Sequence, residues 1–385
     1  MEIEVNQINL ARALSVVLRS ISSRASLPIL SNIKLSSTTI KSGSTKKGVT
    51  LSATNLETGI IYNLEAKVDE IGDITLPARV FSELVANLPT QPVKIIQTRS
   101  NLGQKELSIQ VVCGKHKATI AGMDAKEFPD IPQPSTKPTI SLDGKLLNEA
   151  IKLVSFAAAS DEGRATLTGV LFDLSGQNLV LVATDGYRLS HQKVTLDKKV
   201  TEAFQVIVPA KTLTELSRLT DEQKDQKVVS VLLTKEQNQI IFEIGGIILV
   251  SRLIEGQFPA WQKVIPQGSN TKALVPIDDF AQAVKIAAVF AKDGANVVRL
   301  GFDQSGISIS SSVKQLGEQT SQVETKVDGP RNEIAFNVRY LLDLLTHIKD
   351  PELEFSMTEP LSPGLFKSAQ NPNFIHVIMP IRLQG

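Results

Sequence analysis

Two groups of residues in this chain could do chemistry: a carboxylate that follows an apolar strand, and cations that recur along the chain. Asp185 follows the run LVLVAT, and α/β enzymes place catalytic acids at the ends of such strands. The pair Asp185-Gly186 is also typical of a tight turn, in which the carboxylate accepts backbone amide hydrogens and glycine supplies a positive φ. Asn55 stands at the matching place of an earlier segment, LSATNLE. Because a repeated turn explains both residues, we favour the turn.

Other catalytic or metal-binding patterns are missing from the sequence. It has no Gly-rich phosphate loop, no nucleophile elbow and no paired-cysteine metal motif. The four histidines are scattered without a second ligand at helical or strand spacing. We therefore predict no catalytic residue, no metal and no cofactor.

The recurring cations lie at a fixed offset from a helix start. The segments LPARVFSELVANL, VPAKTLTELSRL and FNVRYLLDLLTHI each join a strand end to an amphipathic helix, with Pro77, Pro209 or Asn337 at the junction. Two residues later come Arg79, Lys211 and Arg339. A solvated helix face explains any one copy, but three copies in register favour a shared role. Helix-borne cations without a recognition motif suit sequence-independent contact with the phosphates of duplex DNA.

A second helix pattern begins each third of the chain. Apolar residues recur at three and four positions in Leu10, Ala13, Leu14, Val17 and Leu18, in Leu147, Ala150, Ile151 and Val154, and in Phe280, Ala283, Val284 and Ala287. The opposite faces carry Arg12 and Arg19, Lys145 and Lys152, and Lys285 and Lys292. The repeat period of about 130 residues is that of a whole small domain.

Proline- and serine-rich stretches divide the chain into three predicted domains. Phe128-Pro129 and Phe258-Pro259 are each followed by Pro- and Ser-rich stretches, which predict domains at 1–137, 138–271 and 272–385.

The net charge is only +1, so any nucleic-acid contact depends on the distribution of charge. One cysteine, Cys113, fits a reducing compartment, and we expect a passive thiol there. No run of eighteen apolar residues and no signal sequence occurs, so we expect a cytoplasmic, nucleoid-associated protein without membrane contact. Aromatic residues make up 5% of the chain, which argues against stacking on single-stranded bases.

In family order, several segments resemble the bacterial DNA polymerase III beta subunits, the sliding clamps. They include RASLPILSNIKL, LPARVFSELVANLP, FPDIP, TGVLFDL, VATDGYRLS, VIVPAKTLTEL, SRLIEGQFPAWQKVIP, FNVRYLLDLL and VIMPIRL. The resemblance covers essentially the full length. It implies an α+β fold of three similar domains, with helices lining an inner face and antiparallel sheets outside. It also implies that two chains close head to tail into a ring around duplex DNA.

The resemblance further implies three sets of site residues. The DNA-facing set is Arg12, Arg24, Arg79, Lys152, Arg164, Lys211, Lys285 and Arg339. A cleft for the short apolar motif of partner proteins comprises Leu167, Thr184, Gly186, Tyr187, Arg188, Leu189, Pro259, Lys263, Val264, Leu361, Pro363, Val377, Ile378, Met379, Pro380, Ile381, Arg382 and Leu383. The ring interface comprises Lys115, Lys117, Ile120, Val289, Phe290 and Glu318.

Two departures from the family pattern affect these sets. Lys263 stands where arginine is common, so a bidentate contact is lost there. The stretch VKQLGEQTSQ keeps only Glu318 where an acidic run occurs in relatives, so apolar packing by Ile120, Val289 and Phe290 must contribute more to ring closure.

We therefore predict a non-catalytic processivity factor, a homodimeric ring that encircles duplex DNA. Its partners would be the replicative polymerase subunit, the clamp loader and other proteins with the apolar motif. Two alternatives remain open at this point: a three-domain hydrolase that uses Asp185 with His191, and a monomeric scaffold that binds peptides without encircling DNA.

Overall fold

Strands and helices follow one another in the same order three times along the chain. The computed structural model describes residues 1–22, 27–42, 44–99, 107–134, 138–200, 202–234, 236 and 238–382. The first repeat contains β1 (Glu2–Asn6), α1 (Gln7–Val17), β2 (Asn32–Ser42), β3 (Ser44–Thr54), β4 (Thr58–Glu65), β5 (Lys67–Glu70), β6 (Asp73–Pro77), α2 (Ala78–Ala86), β7 (Pro92–Arg99), β8 (Leu107–Cys113) and β9 (His116–Gly122).

Within the described residues, the second repeat has two helices and eight strands. They are β10 (Ile140–Asp143), α3 (Gly144–Val154), β11 (Gly169–Ser175), β12 (Asn178–Thr184), β13 (Arg188–Thr195), β14 (Phe204–Pro209), α4 (Ala210–Glu222), β15 (Val228–Leu233), β16 (Gln239–Ile244) and β17 (Ile247–Arg252).

The third repeat again begins with a strand and a helix. It contains β18 (Thr271–Pro276), α5 (Ile277–Ala291), β19 (Val297–Asp303), β20 (Gly306–Val313), β21 (Gly317–Val323), β22 (Val327–Asp328), β23 (Asn332–Asn337), α6 (Val338–His347), β24 (Glu352–Met357), β25 (Gly364–Ser368) and β26 (Phe374–Ile378). Short 3-10 segments lie at Leu18–Ser20, Pro28–Ser31, Ala125–Glu127, Ser155–Ala157, Glu162–Thr168 and Trp261–Val264.

Each repeat is itself double, which the sequence analysis did not predict. Apart from the short strands β5 and β22, every repeat reads strand, helix and three strands, twice over. The strand before each helix pairs with the first of the three strands of the other half: β1 pairs with β7 and β6 with β2. The same exchange joins β10 to β15, β14 to β11, β18 to β24 and β23 to β19. The two halves of a repeat are thus tied together by backbone hydrogen bonds.

The chain forms two compact units, each with two antiparallel sheets. Unit 1 comprises Met1–Asp143 and Glu222–Arg252, and unit 2 comprises Gly144–Asp221 and Leu253–Gly385. The sheets of unit 1 have the strand orders β5-β1-β7-β8-β9 and β10-β15-β16-β17-β4-β3-β2-β6. Those of unit 2 have the orders β14-β11-β12-β13-β26-β25-β24-β18-β22 and β21-β20-β19-β23.

The apolar helix stripes predicted from periodicity are buried, except that Leu18 lies beyond α1 in a 3-10 segment and is half-buried. Leu10, Leu147 and Phe280 are each at most 2% exposed, and their stripe neighbours at Ala13, Ala150 and Ala283 are also buried. In unit 2, α5 and α6 contribute to one core with five phenylalanines of the sheets, Phe302, Phe336, Phe355, Phe366 and Phe374. Because burial of each such side chain contributes about 1.5–3 kcal/mol, these stripes fix which helix face remains at the surface.

The helix starts also follow the sequence signals. The Asn6 side chain accepts hydrogen bonds from the backbone amides of Ile8 and Asn9, and that of Asn337 accepts one from Arg339. Pro77 precedes α2 and Pro209 precedes α4, as the repeated segments predicted. In the described part of the chain, no helix is long and apolar enough to cross a membrane.

Candidate functional site

Every helix carries one cation of the predicted DNA-facing set. Arg12, Arg79, Lys152, Lys211, Lys285 and Arg339 lie on α1 to α6 in that order, and Arg164 lies in the 3-10 segment Glu162–Thr168. All are exposed except Lys152, which is half-buried. Arg24 lies outside the described residues.

The cations occupy repeated positions with one exception. Arg79, Lys211 and Arg339 all stand at the second residue of their helices. Lys152 and Lys285 both stand nine residues after the residue that precedes the helix, Asp143 and Pro276. The matching position on α1 is Ser15, since Arg12 lies three residues earlier. The repeat of the cations is therefore complete on α2, α4 and α6 but not on α1, α3 and α5.

Several helix cations already have partners within the protein. On α2, Arg79 Nε lies 2.9 Å from Glu83 Oε1, and on α6, Arg339 Nε donates to Asn296 Oδ1 at 3.1 Å. In unit 1, Arg12 Nη2 donates to the backbone oxygen of Glu222 at 2.7 Å, and Arg19 Nη2 lies 2.6 Å from Glu222 Oε1. In unit 2, Lys152 Nζ lies 2.8 Å from Asp221 Oδ2. Arg12 and Lys152 belong to the predicted DNA-facing set, and their internal partners were not predicted from the sequence.

The turn at Asp185 confirms the structural interpretation of that residue. Asp185 Oδ1 accepts the backbone amides of Tyr187 and Arg188 at 2.9 and 3.0 Å, and Gly186 has a φ of +90°. In the first repeat, Asn55 Oδ1 accepts the amides of Glu57 and Thr58 in the same way. The carboxylate of Asp185 is thus used by the backbone and by Arg188.

His191 does not join Asp185 in a catalytic arrangement. It lies on β13 with its ring 5.0 Å from that of Trp261, and burial lowers the pKa of His191. Its Nδ1 has no hydrogen-bond partner among the described residues.

Arg188 is held by internal partners on all sides. Its Nε donates to Asp185 Oδ2 at 3.0 Å, its Nη1 to Asp343 Oδ2 at 2.5 Å and its Nη2 to the Phe156 oxygen at 2.8 Å. The guanidinium also lies 4.6 Å from the ring centroid of Tyr340. Burial, followed by the negative charge of Asp185, raises the pKa of Tyr340. Arg188 therefore shapes the predicted cleft by fixing the turn and α6, since its donors are occupied.

Backbone pairing brings the central members of the predicted cleft together. Arg188 and Leu189 on β13 pair with Ile378 and Val377 on β26, and the Met379 amide donates to the Tyr187 oxygen at 2.8 Å. Gly364, the residue after Pro363, pairs with Ile378. The segments around Tyr187, Leu361 and Met379 therefore converge at one end of the nine-stranded sheet.

Burial separates this predicted set into a core and a surface. Leu167, Thr184, Arg188, Leu189, Val377 and Ile378 are buried. The exposed apolar side chains are Tyr187, Val264, Leu361 and Met379, with Pro259, Lys263 and Arg382 also exposed and Pro363, Pro380 and Ile381 half-buried. Leu383 lies outside the described residues. A contact surface at this end of the sheet thus consists of the exposed members, supported by a buried strand pair.

The predicted ring-interface residues lie on edge strands and on α5. Lys117 and Ile120 are on β9, with Lys115 in the turn before it, and Glu318 is on β21. Val289 and Phe290 are on α5, where Val289 is 66% exposed. β9 and β21 each end a sheet, and within the described residues their outer edges are unpaired.

Comparison with known proteins identifies the family. Models of the DNA polymerase III beta subunit match the N-terminal domain at residues 1–132, the central domain at 141–260 and the C-terminal domain at 262–382. The chain belongs to the DNA polymerase III beta subunit family. The beta sliding clamp of Bacillus subtilis (strain 168) is 30% identical over 393 residues, covering 99% of this chain and 100% of the relative. That of Staphylococcus aureus (strain N315) is 27% identical and covers 99% of each chain.

Solved structures agree with this assignment. The beta subunit from Streptococcus pyogenes DNA polymerase has a TM-score of 0.91 and 27% identity, and the Bacillus subtilis sliding clamp has 0.90 and 29%; each alignment covers 100% of both chains. These comparisons confirm the three-domain clamp fold and the role of a DNA sliding clamp in replication, a non-catalytic subunit that works with DNA and a polymerase. The hydrolase and the monomeric scaffold are not supported.

Proposed function

We propose that two copies of this clamp close head to tail into a ring around duplex DNA, through pairing of β21 with β9 of the partner subunit. The observation that carries the proposal is that consecutive repeats within the chain are joined by the same strand pairing. In unit 1, β4 of the first repeat pairs with β17 of the second, and in unit 2, β13 of the second repeat pairs with β26 of the third. Each junction joins the last strand of a first half to the last strand of a second half in the next repeat. Applied once more, the rule joins β21 to β9 of a further chain.

The ladders within the chain also support one particular register for this pairing. Directly paired residues can be followed from strand to strand across the first half of each repeat. Thr75 leads in this way to Ile61, Ile207 to His191 and Ala335 to Thr320. Across the second half of each repeat, Glu4 leads to Lys117, Ser141 to Ile248 and Leu274 to Ile375. Each starting residue lies two positions before the residue that precedes a helix.

The two known junctions then predict the third. Ile61 pairs with Ile248, and His191 pairs with Ile375. The equivalent residues, Thr320 and Lys117 of the partner subunit, are therefore expected to pair. In this register Glu318 lies diagonal to Lys117 of the partner subunit on the same face of the sheet, about 7–8 Å apart at Cα, within reach of a long side chain.

Such a head-to-tail contact uses two different surfaces and would pair the outer edges of β9 and β21, which are unpaired within the described residues. In the ring we place the helices and their exposed cations toward the DNA. A net charge of +1 with cations on the helices attracts phosphates without making the whole surface basic. Retention then comes from enclosure, and the contacts with DNA stay weak enough for sliding.

We assign partner binding to the exposed apolar residues beside β26. Tyr187 and Leu361 are 57% and 59% exposed, and Val264 and Met379 are also exposed. Apolar side chains next to Lys263 and Arg382 suit an extended peptide with apolar anchors. The double variant Leu361→Ala/Met379→Ala should weaken binding of a labelled motif peptide about tenfold, whereas Ile71→Ala, which removes an exposed apolar side chain of unit 1, should not. Equal affinities for all three proteins would reject this assignment.

Retention on DNA of different topology tests the ring itself. Protein loaded onto a nicked circular plasmid with a clamp loader should remain through a high-salt wash and dissociate when the plasmid is cut once. Binding by contact predicts equal retention on circular and linear DNA, and that result would reject enclosure.

A further inference from the structure

Asp221, in the last turn of α4, is held in place by a network of polar side chains. Its Oδ1 accepts the Asn148 side-chain amide at 2.8 Å, and Asn148 Oδ1 accepts the Ser217 hydroxyl at 2.6 Å. Asn148 and Ser217 are both buried. The carboxylate is therefore fixed to the packed surface between α3 and α4.

The fixed carboxylate binds one of the cations assigned to DNA. Lys152 Nζ lies 2.9 Å from Asp221 Oδ1 and 2.8 Å from Oδ2, so it contacts both oxygens. Lys152 is 40% exposed and Asp221 49% exposed, so DNA phosphate and Asp221 can compete for the same ammonium.

The third repeat has the same cation without this acid. Lys285 on α5 occupies the position of Lys152 on α3 and forms no ion pair among the described residues. Counted from the residue that precedes each helix, Ala281, Leu345 and Lys349 replace Asn148, Ser217 and Asp221. The repeat thus retains the lysine in both copies, but only the second repeat builds the network that neutralises it.

We propose that Asp221 is a positioning residue that withholds Lys152 from DNA phosphate and thereby weakens the attraction of the second repeat for DNA. A cation already paired with a carboxylate releases no net counterion when a phosphate replaces that carboxylate, so it adds little to salt-dependent affinity. Lys285, without such a partner, contributes fully. In unit 1, the Glu222 carboxylate pairs with Arg19, and the Glu222 backbone oxygen accepts from Arg12.

This inference depends on the proposed function, because it concerns the DNA that the ring encloses. It adds that the protein limits its own affinity for DNA at defined helices. A lower affinity at fixed enclosure favours sliding over arrest.

Binding of a short, labelled linear duplex, measured by fluorescence anisotropy over a series of KCl concentrations, tests the proposal. Asp221→Asn should raise affinity about threefold at low salt and steepen the plot of log K against log salt by about 0.9. Lys285→Ala should lower affinity about threefold, whereas Lys152→Ala should change it by less than twofold. In the Lys152→Ala background, Asp221→Asn should leave the slope unchanged.

Asp225→Asn is the matched control, since it removes the same charge three residues beyond α4 at an exposed carboxylate. Thermal unfolding verifies that the variants are folded, and Asp221→Ser replaces Asp221→Asn if the latter is not. The proposal is wrong if Lys152→Ala costs as much affinity as Lys285→Ala, if Asp225→Asn matches Asp221→Asn, or if the slope still steepens in the Lys152→Ala background. Failure of the unaltered protein to stay on circular plasmid would instead reject the ring.

Discussion

Asp185 shows how a residue with catalytic appearance serves structure. It follows an apolar strand, yet both of its oxygens are used: Oδ1 by two backbone amides and Oδ2 by Arg188. Asn55 makes the same two amide contacts in the first repeat without a charge. The turn therefore needs only an acceptor oxygen, and the negative charge of Asp185 is needed for Arg188.

Substitutions at Asp185 should separate these two contributions. Asp185→Asn keeps the acceptor and loses the ion pair, so we expect a loss of about 1–2 kcal/mol in the free energy of unfolding. Asp185→Ala loses both and should cost about 3 kcal/mol. Urea unfolding followed by the fluorescence of Trp261, the single tryptophan, reports on unit 2. Equal stability of all three proteins would contradict the structural role.

His376 makes the stability of unit 2 depend on pH. Its side chain is fully buried, and its Nδ1 lies 2.6 Å from Ser190 Oγ. Burial, followed by the positive charges of Arg188 and His347, lowers the pKa of His376 to about 3 from an ordinary value of 6.5. Below pH 6.5 the unfolded chain therefore binds a proton that the folded chain does not.

The expected result is a stability that is fully present above pH 6.5 and is lost as the pH falls toward 3. The loss from this group is about 1.4 kcal/mol per pH unit, or about 2 kcal/mol between pH 6.5 and pH 5. In His376→Asn this dependence should vanish, so that urea unfolding at pH 7 and pH 5 differs less than in the unaltered protein by that amount. His191, whose pKa is also lowered, contributes equally to both proteins. The same pH dependence in both would show that His376 titrates normally.

Helices were largely predictable from the sequence because their signals are local. The apolar stripes and the residues at helix starts, such as Pro77 and Asn337, are read within one or two turns. Pairing partners were not predictable. Lys152 and Asp221 are 69 residues apart, and Arg19 and Glu222 are 203 apart, with no local pattern linking them.

The predicted cleft shows the same limit. The run from Val377 to Met379 suits a core strand or a binding surface equally well, because an apolar run does not reveal which neighbours cover it. The pairing of β26 with β13 covers Val377 and Ile378 and leaves Met379 exposed. Only the strand order within unit 2 makes that distinction.

The doubled repeat makes a specific prediction about the ring-closing strands. If β21 pairs with β9 of the partner subunit in the register proposed above, cysteines at Lys117 and Thr320 lie directly opposite each other, at a distance that a disulfide spans. The double variant Lys117→Cys/Thr320→Cys should form a dimer-sized crosslink under mild oxidation, seen on non-reducing gels.

The control moves one thiol by a single residue. In Ala118→Cys/Thr320→Cys the two side chains point to opposite faces of the sheet, so the crosslink should be absent. Efficient crosslinking of that pair, or of neither pair, would contradict the register.

At the level of the whole molecule, a clamp must combine permanence with mobility. A net charge of +1 and the ion pair of Lys152 with Asp221 agree with the proposed restraint on affinity for DNA. In the proposed ring, retention on DNA comes from ring closure. Closure depends on β9 and β21, whose outer edges have no partner within the described chain.

The most direct measurement tests ring closure and retention on DNA in the same protein. The Lys117→Cys/Thr320→Cys protein is loaded onto a nicked circular plasmid, oxidised so that both ring junctions are covalent, and then denatured with detergent. A ring that encloses the duplex should stay linked to the circle in detergent and separate when the plasmid is cut once or the disulfides are reduced. Release from the intact circle despite complete crosslinking would show that the DNA does not pass through the ring, and would contradict the account.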